Sequence, residues 1–391
     1  MPLAEKRSPA TLYFDHGATS WPKPDVVVEA VRHSLTSLGG SPGRGAHKMA
    51  LQVSRTVFES RKSCASYLGV SDSRNLIFVP GCTAGCNMML FGLLESGDRV
   101  VVGSMEHNAI TRPLAKLADA GVEVVKVSAD VTGWMDPSDI KRAIESGQSE
   151  TKAVVCQHAS NVTGAIQPVS EIASVAHSHG ALMLVDGAQG IGHFEIDLST
   201  LGADVYAASG HKGLLGPQGI GLLYIAPETA MRVRDSGGTG GARSDSTEMP
   251  QERPDRYEAG TPNVPGIVGL GAAVGFLEEN GERIHAEERR LTELLMEGLG
   301  SLNGVSVYGP PLEVERIPIV SVTSDRLDGA TIASRLDREF DIACRAGLHC
   351  APEAHRSIGT IETGTVRFGI GWSNTAEDVS RLIEALVVIL R

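Results

Sequence analysis

The segment AASGHKGLLGPQGIG (residues 207–221) places one lysine, Lys212, between a histidine and several glycines at the end of an apolar stretch. The residues before it, ADVYAAS, and those after it, GIGLLYI, have the continuous apolar character of strands that are buried on both faces. Lysine side chains usually project into water. A lysine at the end of a buried strand is therefore a candidate functional residue.

Seven short apolar runs alternate with helical patterns in this part of the chain. The runs are NLIFV (75–79), RVVVG (99–103), EVVKV (123–127), AVVCQ (153–157), ALMLVD (181–186), VYAAS (205–209) and GLLYI (221–225). Between them, AGCNMMLFGLLES and VSEIASVAHSHG have the pattern of helices, and Gly180 is a good stop for the second. The alternation predicts an α/β domain with a mostly parallel, seven-stranded sheet covered by helices.

The pattern changes in GGTGGARSDSTEMPQERPDRYEAGTPNVPG (237–266), which is rich in Gly, Pro and charge and is typical of a long functional loop. A long amphipathic helix is predicted from about Val268 through ERIHAEERRLTELLMEGL. The strands predicted after it are VSVYG, IPIVSVT and TVRFGIG. We expect a large domain over residues 15–275 and a smaller α+β domain built from residues 1–14 and 276–391.

The composition excludes several classes of protein. A net charge of −12 over 391 residues argues against a nucleic-acid binder. There is no apolar run of about 18 residues, so no membrane span is expected. The first residues contain no apolar signal-peptide core, so we expect a cytoplasmic protein whose six cysteines are thiols. Without a CxxC pair no metal site is predicted, although Cys82 and Cys86 have the spacing of half of one.

Polar residues stand where several of the predicted strands end. Asp186 closes the run ALMLVD, and Lys212 follows VYAAS. In an open α/β sheet, ligands bind beyond the carboxyl ends of the strands. We therefore expect this carboxylate and this amine in one crevice, with a surface ion pair as the alternative.

A possible phosphate site follows the first of these strands. FVPGCTAGCNMM runs from a strand through Gly81, Cys82 and Thr83 into a helix, and the free N–H groups at a helix N-terminus favour an anion. The alternative is an ordinary helix cap. His107 in SMEHNA and Asn161 in QHASNVTG follow two other strand ends.

These groups together suit one cofactor, pyridoxal phosphate. A helix N-terminus would hold its phosphate, a carboxylate would pair with its pyridine nitrogen, and a lysine would hold its aldehyde as a Schiff base. The lysine must be partly neutral to do so, and burial lowers the pKa of a lysine.

The chain resembles the class-V aminotransferase branch of the fold type I enzymes, and within it the cysteine desulfurases of the group that includes the selenocysteine lyases. The similarity runs from YFDHGATSWPKP (13–24) to TVRFGIGWSNTAEDV (365–379). Its most specific motifs are VDGAQ, SGHK, GPQGIGLLY, YEAGTPN and RAGLHCAP. It implies the pyridoxal phosphate-dependent transferase fold of type I.

The resemblance implies roles for individual residues around the cofactor. Lys212 forms the Schiff base, Asp186 keeps the pyridine nitrogen protonated, and His107 stacks on the ring. The other implied cofactor contacts are Asn161 and Gln189 on the side of the phenolic oxygen, and Thr83, Ser209, His211 and the backbone N–H groups of Cys82 and Thr83 at the phosphate.

The resemblance also implies substrate contacts and a dimer. Arg367 would hold the substrate carboxylate bidentately, a geometry that suits arginine, with Asn161 and Ala18 nearby. Thr261 in YEAGTPN would reach the phosphate of the neighbouring subunit, which implies a homodimer with shared sites.

The implied nucleophile is Cys350 in CRAGLHCAPEAH. Its thiolate would attack the substrate sulfur, and Arg345, His349 and His355 are candidates for lowering the pKa of its thiol. Cys344 has apolar neighbours and is interpreted as a strand cysteine. The alternative is that Cys350 is structural.

The implied activity is conversion of L-cysteine to L-alanine with the sulfur held as an enzyme persulfide, which a sulfur-acceptor protein would collect, for example for iron–sulfur cluster assembly. Departures from the family pattern leave the substrate open: Cys82 and Ala84 stand where relatives often carry Thr and Glu, and Leu348 where a second His is common. The alternatives are a selenocysteine lyase, another pyridoxal phosphate-dependent lyase or epimerase, or a non-catalytic sulfur-carrier scaffold.

Overall fold

The computed structural model describes residues 11–43, 45–239 and 246–391. Residues 1–10, which belong to the predicted small domain, and residues 240–245 of the predicted long loop lie outside the described residues.

The strands of the described residues form three sheets. They are β1 (Leu12–Tyr13), β2 (Leu76–Val79), β3 (Arg99–Gly103), β4 (Glu123–Val127), β5 (Thr151–Gln157), β6 (Leu182–Asp186), β7 (Val205–Ser209), β8 (Gly221–Ile225), β9 (Val305–Tyr308), β10 (Ile319–Ser324), β11 (Ile342–Ala343), β12 (Arg345–Gly347) and β13 (Thr365–Gly369).

The large sheet has seven strands in the order β2-β8-β7-β6-β5-β3-β4. Strand β8 runs antiparallel to its neighbours β2 and β7, and the other pairs are parallel. The mostly parallel seven-stranded sheet predicted from the apolar runs is confirmed. The runs are apolar throughout because interior strands such as β3 and β7 are buried at every position, whereas the edge strand β4 is largely accessible.

Helices cover both faces of this sheet. The helices of the described residues are α1 (Asp25–Ser37), α2 (Lys48–Tyr67), α3 (Cys82–Leu93), α4 (Asn108–Asp119), α5 (Pro137–Glu145), α6 (Val169–Ser178), α7 (Val264–Gly300), α8 (Gly329–Phe340), α9 (Pro352–Ser357) and α10 (Ala376–Ile389). Along β7, Val205 and Ala207 pack in the core beneath α3 and α4, while Tyr206 and Ala208 pack in the opposite core with α2, α6 and α7. Successive side chains of β7 thus point to opposite faces of the sheet, as they do in any strand.

The long helix predicted from about Val268 begins four residues earlier, at Val264, because the side chain of Asn263 accepts a hydrogen bond from the Gly266 N–H and caps the first turn. It continues unbroken past the predicted domain boundary at 275/276.

The C-terminal part forms a smaller antiparallel sheet, β12-β13-β10-β9. A separate core packs beneath it, and this core includes Leu12 and Phe14 from the beginning of the described chain. Strand β1 pairs with β11, and Asp15 bridges to Gly369. The division into residues 15–275 and residues 1–14 with 276–391 stays a prediction. No helix in the described part of the chain has the length and apolar character needed to cross a membrane.

Candidate active site

A cavity of about 510 Å³ lies at the carboxyl ends of the central strands. Its size is typical of a small-molecule site. The sequence-predicted residues that line it are Ala18, Cys82, Thr83, His107, Asn161, Asp186, Ser209, His211, Lys212 and Arg367. Arg345 and His349 also line it, whereas Gln189, Cys350 and Thr261 are not part of its lining.

Lys212 follows the end of β7 and faces the cavity. Burial lowers the pKa of its amine from the ordinary value, and the Asp186 carboxylate offsets this effect only in part. A neutral lysine amine is the form that reacts with an aldehyde. The lowered pKa that the sequence predicts for this lysine therefore agrees with its buried surroundings.

Asp186 is the last residue of β6 and is almost completely buried. Its Oδ1 atom accepts a hydrogen bond from the Cys82 thiol, with Sγ 3.2 Å away, and another from the Ala188 N–H at 3.0 Å. Both hydrogen bonds end on the same oxygen. The other oxygen, Oδ2, therefore remains for a group inside the cavity.

The start of α3 forms another part of the cavity wall. Gly81 precedes the helix and has no side chain that could cap it, so the first N–H groups are left for an anion. Ser209 contributes a buried hydroxyl there. His211 shares a hydrogen bond with Thr19, and burial and Lys212 lower its pKa to about 4, so it is a neutral ring at neutral pH.

His107 is held rigidly at the start of α4. Its Nδ1 atom accepts the Ala109 N–H at 3.0 Å, so the proton of the neutral ring is on Nε2. Burial lowers the pKa of His107 to about 4. The residue is thus a neutral aromatic ring on the cavity wall, with its N–H donor at Nε2.

Arg367 lies on β13 with only 1% of its surface exposed. Its Nη2 atom donates to Oδ1 of Asp15 at 2.7 Å, and its Nη1 atom donates to the Asn161 carbonyl at 3.1 Å. Among the described residues, Nε has no hydrogen-bond partner. Asp15 was missed by the sequence analysis because 352 residues separate it from Arg367.

Cys350 is exposed on the loop between β12 and α9, and its neighbour His349 lines the cavity. His349 and Cys350 both have left-handed backbone conformations, with φ of 47° and 58°. The Cys350 carbonyl accepts the Asn108 N–H at 2.8 Å, and the His349 carbonyl accepts from the Asn161 side chain at 2.8 Å. Two hydrogen bonds, from the start of α4 and from the Asn161 side chain, therefore fix the loop.

Arg345, His349 and His355 were the three candidates for lowering the pKa of the Cys350 thiol, and the structure does not favour two of them. Burial, with Arg367 nearby, lowers the pKa of His349 to about 2, and its ring bonds Thr365. Burial lowers the pKa of His355 to about 4, and its ring bonds Thr360. Neither ring is a cation at neutral pH. Of the three predicted groups only Arg345, whose Nη2 atom is 3.5 Å from Sγ, places positive charge beside the thiol.

Cys344 has the role expected for a structural thiol. It lies between β11 and β12 and packs against the small core. Burial and the charge of Asp15 raise the pKa of its thiol to about 12, which keeps it protonated and unreactive.

Thr261 is exposed and lines a second cleft, of about 660 Å³, instead of the cavity. Pro80 and Gly219 border both spaces. Thr261 therefore lines a cleft that shares two lining residues with the cavity, and it is not part of the cavity lining itself.

Comparison with known proteins places this architecture in a family. The profile of the class-V aminotransferases matches residues 12–382. The chain belongs to the class-V aminotransferase family.

Relatives of this family member match nearly its whole length. A probable cysteine desulfurase of Methanothermobacter thermautotrophicus is 35% identical over 381 residues, which are 96% of this chain and 94% of that protein. A cysteine desulfurase of Thermococcus onnurineus, solved in its apo form, superposes with a TM-score of 0.90 at 32% identity and covers 99% of both chains. The Escherichia coli cysteine desulfurase CsdA, in an S-sulfonic acid form, superposes with a TM-score of 0.86 at 30% identity over 99% of this chain and 96% of that one.

The residues that line the cavity fit pyridoxal phosphate. A Cβ at Gly81 would meet no atom of the described residues within 4 Å, which leaves room at the start of α3 for a phosphate. Oδ1 of Asn161 and Oε1 of Gln189 are buried without a hydrogen-bond partner among the described residues. Each amide nitrogen of these two residues donates to a backbone carbonyl and keeps a second hydrogen for a ligand.

Cys82 and Cys86, whose spacing is that of half a metal site, lie next to a third potential metal ligand in the structure, Asp186. Sγ of Cys82, Sγ of Cys86 and a carboxylate oxygen of Asp186 lie within 4.8 Å of one another. The spacing of the cysteines could not reveal Asp186, which is 104 residues from Cys82. Hydrogen bonds within the protein join these three groups: the two Sγ atoms lie 3.7 Å apart, and the Cys82 thiol donates to Oδ1 of Asp186.

Proposed function

We propose that this chain is a pyridoxal phosphate-dependent cysteine desulfurase, which converts L-cysteine to L-alanine and takes the sulfur onto Cys350 as a persulfide. The names of its relatives agree with this activity. One observation carries the proposal: the exposed Cys350 thiol lies 3.5 Å from Nη2 of Arg345, and Arg345 lines the same cavity as Lys212.

The cofactor would be held by the groups already described. When bound, pyridoxal phosphate supplies an electron sink that weakens bonds at the α-carbon of an amino acid. Lys212 would hold its aldehyde, and the lowered pKa of the amine would also let Lys212 accept and return the α-proton. Asp186 would keep a proton on the pyridine nitrogen through Oδ2. The start of α3, with Thr83 and Ser209, would bind the phosphate.

The substrate would be oriented by Arg367 and His107. The guanidinium of Arg367 is fixed by Asp15 and by the Asn161 carbonyl, so it presents its remaining donors in one direction. A carboxylate is the group that such a fork binds best. The Nε2–H of His107 is a further donor at the wall of the cavity.

The sulfur step would use Cys350. Its thiolate bonds to the substrate sulfur, and the electron pair of the broken C–S bond stays with the β-carbon, which takes a proton to become the methyl group of alanine. Arg345 stabilises the negative charge on the attacking sulfur. Because Cys350 is exposed, a second thiol outside the cavity can reach the persulfide.

Product analysis tests the activity. The enzyme is incubated with L-cysteine and pyridoxal phosphate, with and without a reductant, and alanine and sulfide are measured. We expect equal amounts of both products with reductant, and none from Cys350→Ala. Cys344→Ala is the matched control, because it removes a half-buried thiol six residues earlier in the same segment. Absence of alanine from the wild type would refute the proposal.

The second candidate is a selenocysteine lyase that uses the same cavity. Leu348, exposed and two residues before Cys350, keeps this candidate open, because relatives often carry a second histidine there. The assay with L-selenocysteine separates the two activities: a lyase would process L-selenocysteine and leave L-cysteine unchanged.

We further propose a homodimer in which Thr261 completes the phosphate site of the partner subunit. Its exposure on the second cleft, which shares two lining residues with the cavity, supports this arrangement. A sulfur-acceptor protein, a cytoplasmic location and a role in iron–sulfur cluster assembly are further parts of the proposal and rest on the family resemblance.

A further inference from the structure

Cys82 and Asp186 meet at the wall of the cavity, although they come from different elements. Cys82 is the first residue of α3 and Asp186 is the last residue of β6. Only 5% of Cys82 and 3% of Asp186 are exposed. The Sγ–Oδ1 distance of 3.2 Å is that of a hydrogen bond from a thiol to a carboxylate.

The thiol is the donor in this contact. The hydrogen bond from Cys86 lowers the pKa of the Cys82 thiol, but burial and the Asp186 charge outweigh it and raise the pKa above its ordinary value. The hydrogen bond with Cys82, together with burial, raises the pKa of Cys86 well above its ordinary value. Both thiols therefore keep their protons, and with Sγ atoms 3.7 Å apart Cys86 can donate to Cys82 while Cys82 donates to Asp186.

The hydrogen bond acts on the orientation of the carboxylate. The Ala188 N–H donates to the same oxygen at 3.0 Å, so two donors from different elements fix the plane of the Asp186 carboxylate through Oδ1. Oδ2 is then presented to the cavity in one direction. A carboxylate that is fixed in this way is preorganised for a pyridine nitrogen.

We propose that the Cys82 thiol is a positioning residue for Asp186, holding its carboxylate so that Oδ2 meets the cofactor's pyridine nitrogen. This inference rests on the proposed cofactor. It assigns the side chain of Cys82 a task that is separate from the phosphate contact of its backbone N–H. A buried thiol at this position supplies the hydrogen-bond donor that Oδ1 of Asp186 accepts.

The test compares the cofactor affinity of four proteins: wild type, Cys82→Ala, Cys82→Ser and Cys64→Ala. Serine keeps a donor and alanine removes it, while both keep the backbone N–H. Cys64→Ala removes a fully buried thiol from α2 and is the control for loss of packing. The dissociation constant of pyridoxal phosphate is measured by equilibrium dialysis, and the visible absorption of the bound cofactor is titrated with pH.

Cys82→Ala should raise the dissociation constant about tenfold, the effect of losing one hydrogen bond to a charged group. It should also shift the pH titration of the visible band, while Cys82→Ser and Cys64→Ala stay close to the wild type. Equal affinities for Cys82→Ala and Cys64→Ala would overturn the proposal, as would a serine variant as weak as the alanine one. One equivalent of zinc in the wild-type holoenzyme that is lost in Cys82→Ala would overturn it too, since the thiols would then be metal ligands.

The result is independent of the desulfurase reaction, because no L-cysteine is present. A wild type that binds the cofactor but releases no alanine would refute the proposed reaction and leave the affinity comparison standing.

Discussion

Oδ1 of Asp15 lies 2.7 Å from Nη2 of Arg367, and this ion pair joins the beginning of the described chain to its last strand. A Cβ at Gly17 would lie 3.0 Å from Cζ of Arg367, so the backbone after Asp15 passes directly against the guanidinium. Burial lowers the pKa of Arg367, and the Asp15 carboxylate opposes that effect. The N-terminal segment thus orients the group that we propose for the substrate carboxylate.

Asp15→Asn should raise KM for L-cysteine by about tenfold or more while kcat changes less, because the buried guanidinium loses its charged partner and its fixed orientation. Steady-state alanine release measures both constants. Asp72→Asn is the control, since it breaks an ion pair with Arg74 that is exposed and worth little. An unchanged KM in Asp15→Asn would show that Arg367 needs no partner.

Lys212 should be the residue that carries the cofactor. Borohydride reduction of the holoenzyme should attach the cofactor to the peptide containing Lys212, and Lys212→Ala should lack the visible band of the linked cofactor. Lys23 is a demanding control, because burial lowers its pKa to about 8 and its Nζ atom donates to the His211 carbonyl. Mass spectrometry that finds the reduced cofactor on Lys23 would contradict the assignment.

Stability should fall as the pH drops below about 6.5. Burial, followed by the charge of His193, lowers the pKa of His16 to about 3 in the folded protein. Between these two pH values the unfolded chain binds a proton that the folded chain does not, so the free energy of unfolding decreases as the pH falls, by up to about 1.4 kcal/mol per pH unit for this one group.

Chemical denaturation of His16→Asn at pH 7 and pH 5 measures this effect. The difference in unfolding free energy between the two pH values should be smaller than in the wild type. His33→Asn changes an exposed residue of α1 and should leave that difference as it is. A pH dependence that is the same in all three proteins would argue against a buried neutral His16.

Thr261 should act on the partner subunit. If the proposed homodimer forms, Lys212→Ala and Thr261→Ala should each be impaired alone, whereas a mixed dimer would contain one site with both Lys212 and a partner threonine. Mixing the two variants under conditions of subunit exchange should therefore restore alanine release above the level of either alone. Absence of any restoration, with mixed dimers demonstrated by native mass spectrometry, would place Thr261 outside the partner's site.

The central sheet was predictable because its strands are buried on both faces and therefore read as unbroken apolar runs. Strands β11 and β12 were not, since two or three residues carry no periodicity. The site residues that follow strands, such as Asp186 and Lys212, were predictable because the ends of the apolar runs show where the strands end. The contacts of Arg367 with Asp15 and of Asp186 with Cys82 were not, because each joins distant parts of the chain. The neutral charge state of His349 was not predictable either, because it depends on the burial of the ring, and the neighbouring sequence does not show that burial.

Transfer of the sulfur to Cys350 is tested by mass spectrometry of the enzyme after reaction with L-cysteine in the absence of a reductant. We expect the peptide containing Cys350 to gain one sulfur atom in the wild type. Cys350→Ala, with Lys212 and Arg367 intact, should still change the visible spectrum on addition of L-cysteine but release no alanine. Alanine release from Cys350→Ala at the wild-type rate, or added sulfur on any other cysteine, would show that Cys350 is not the sulfur acceptor.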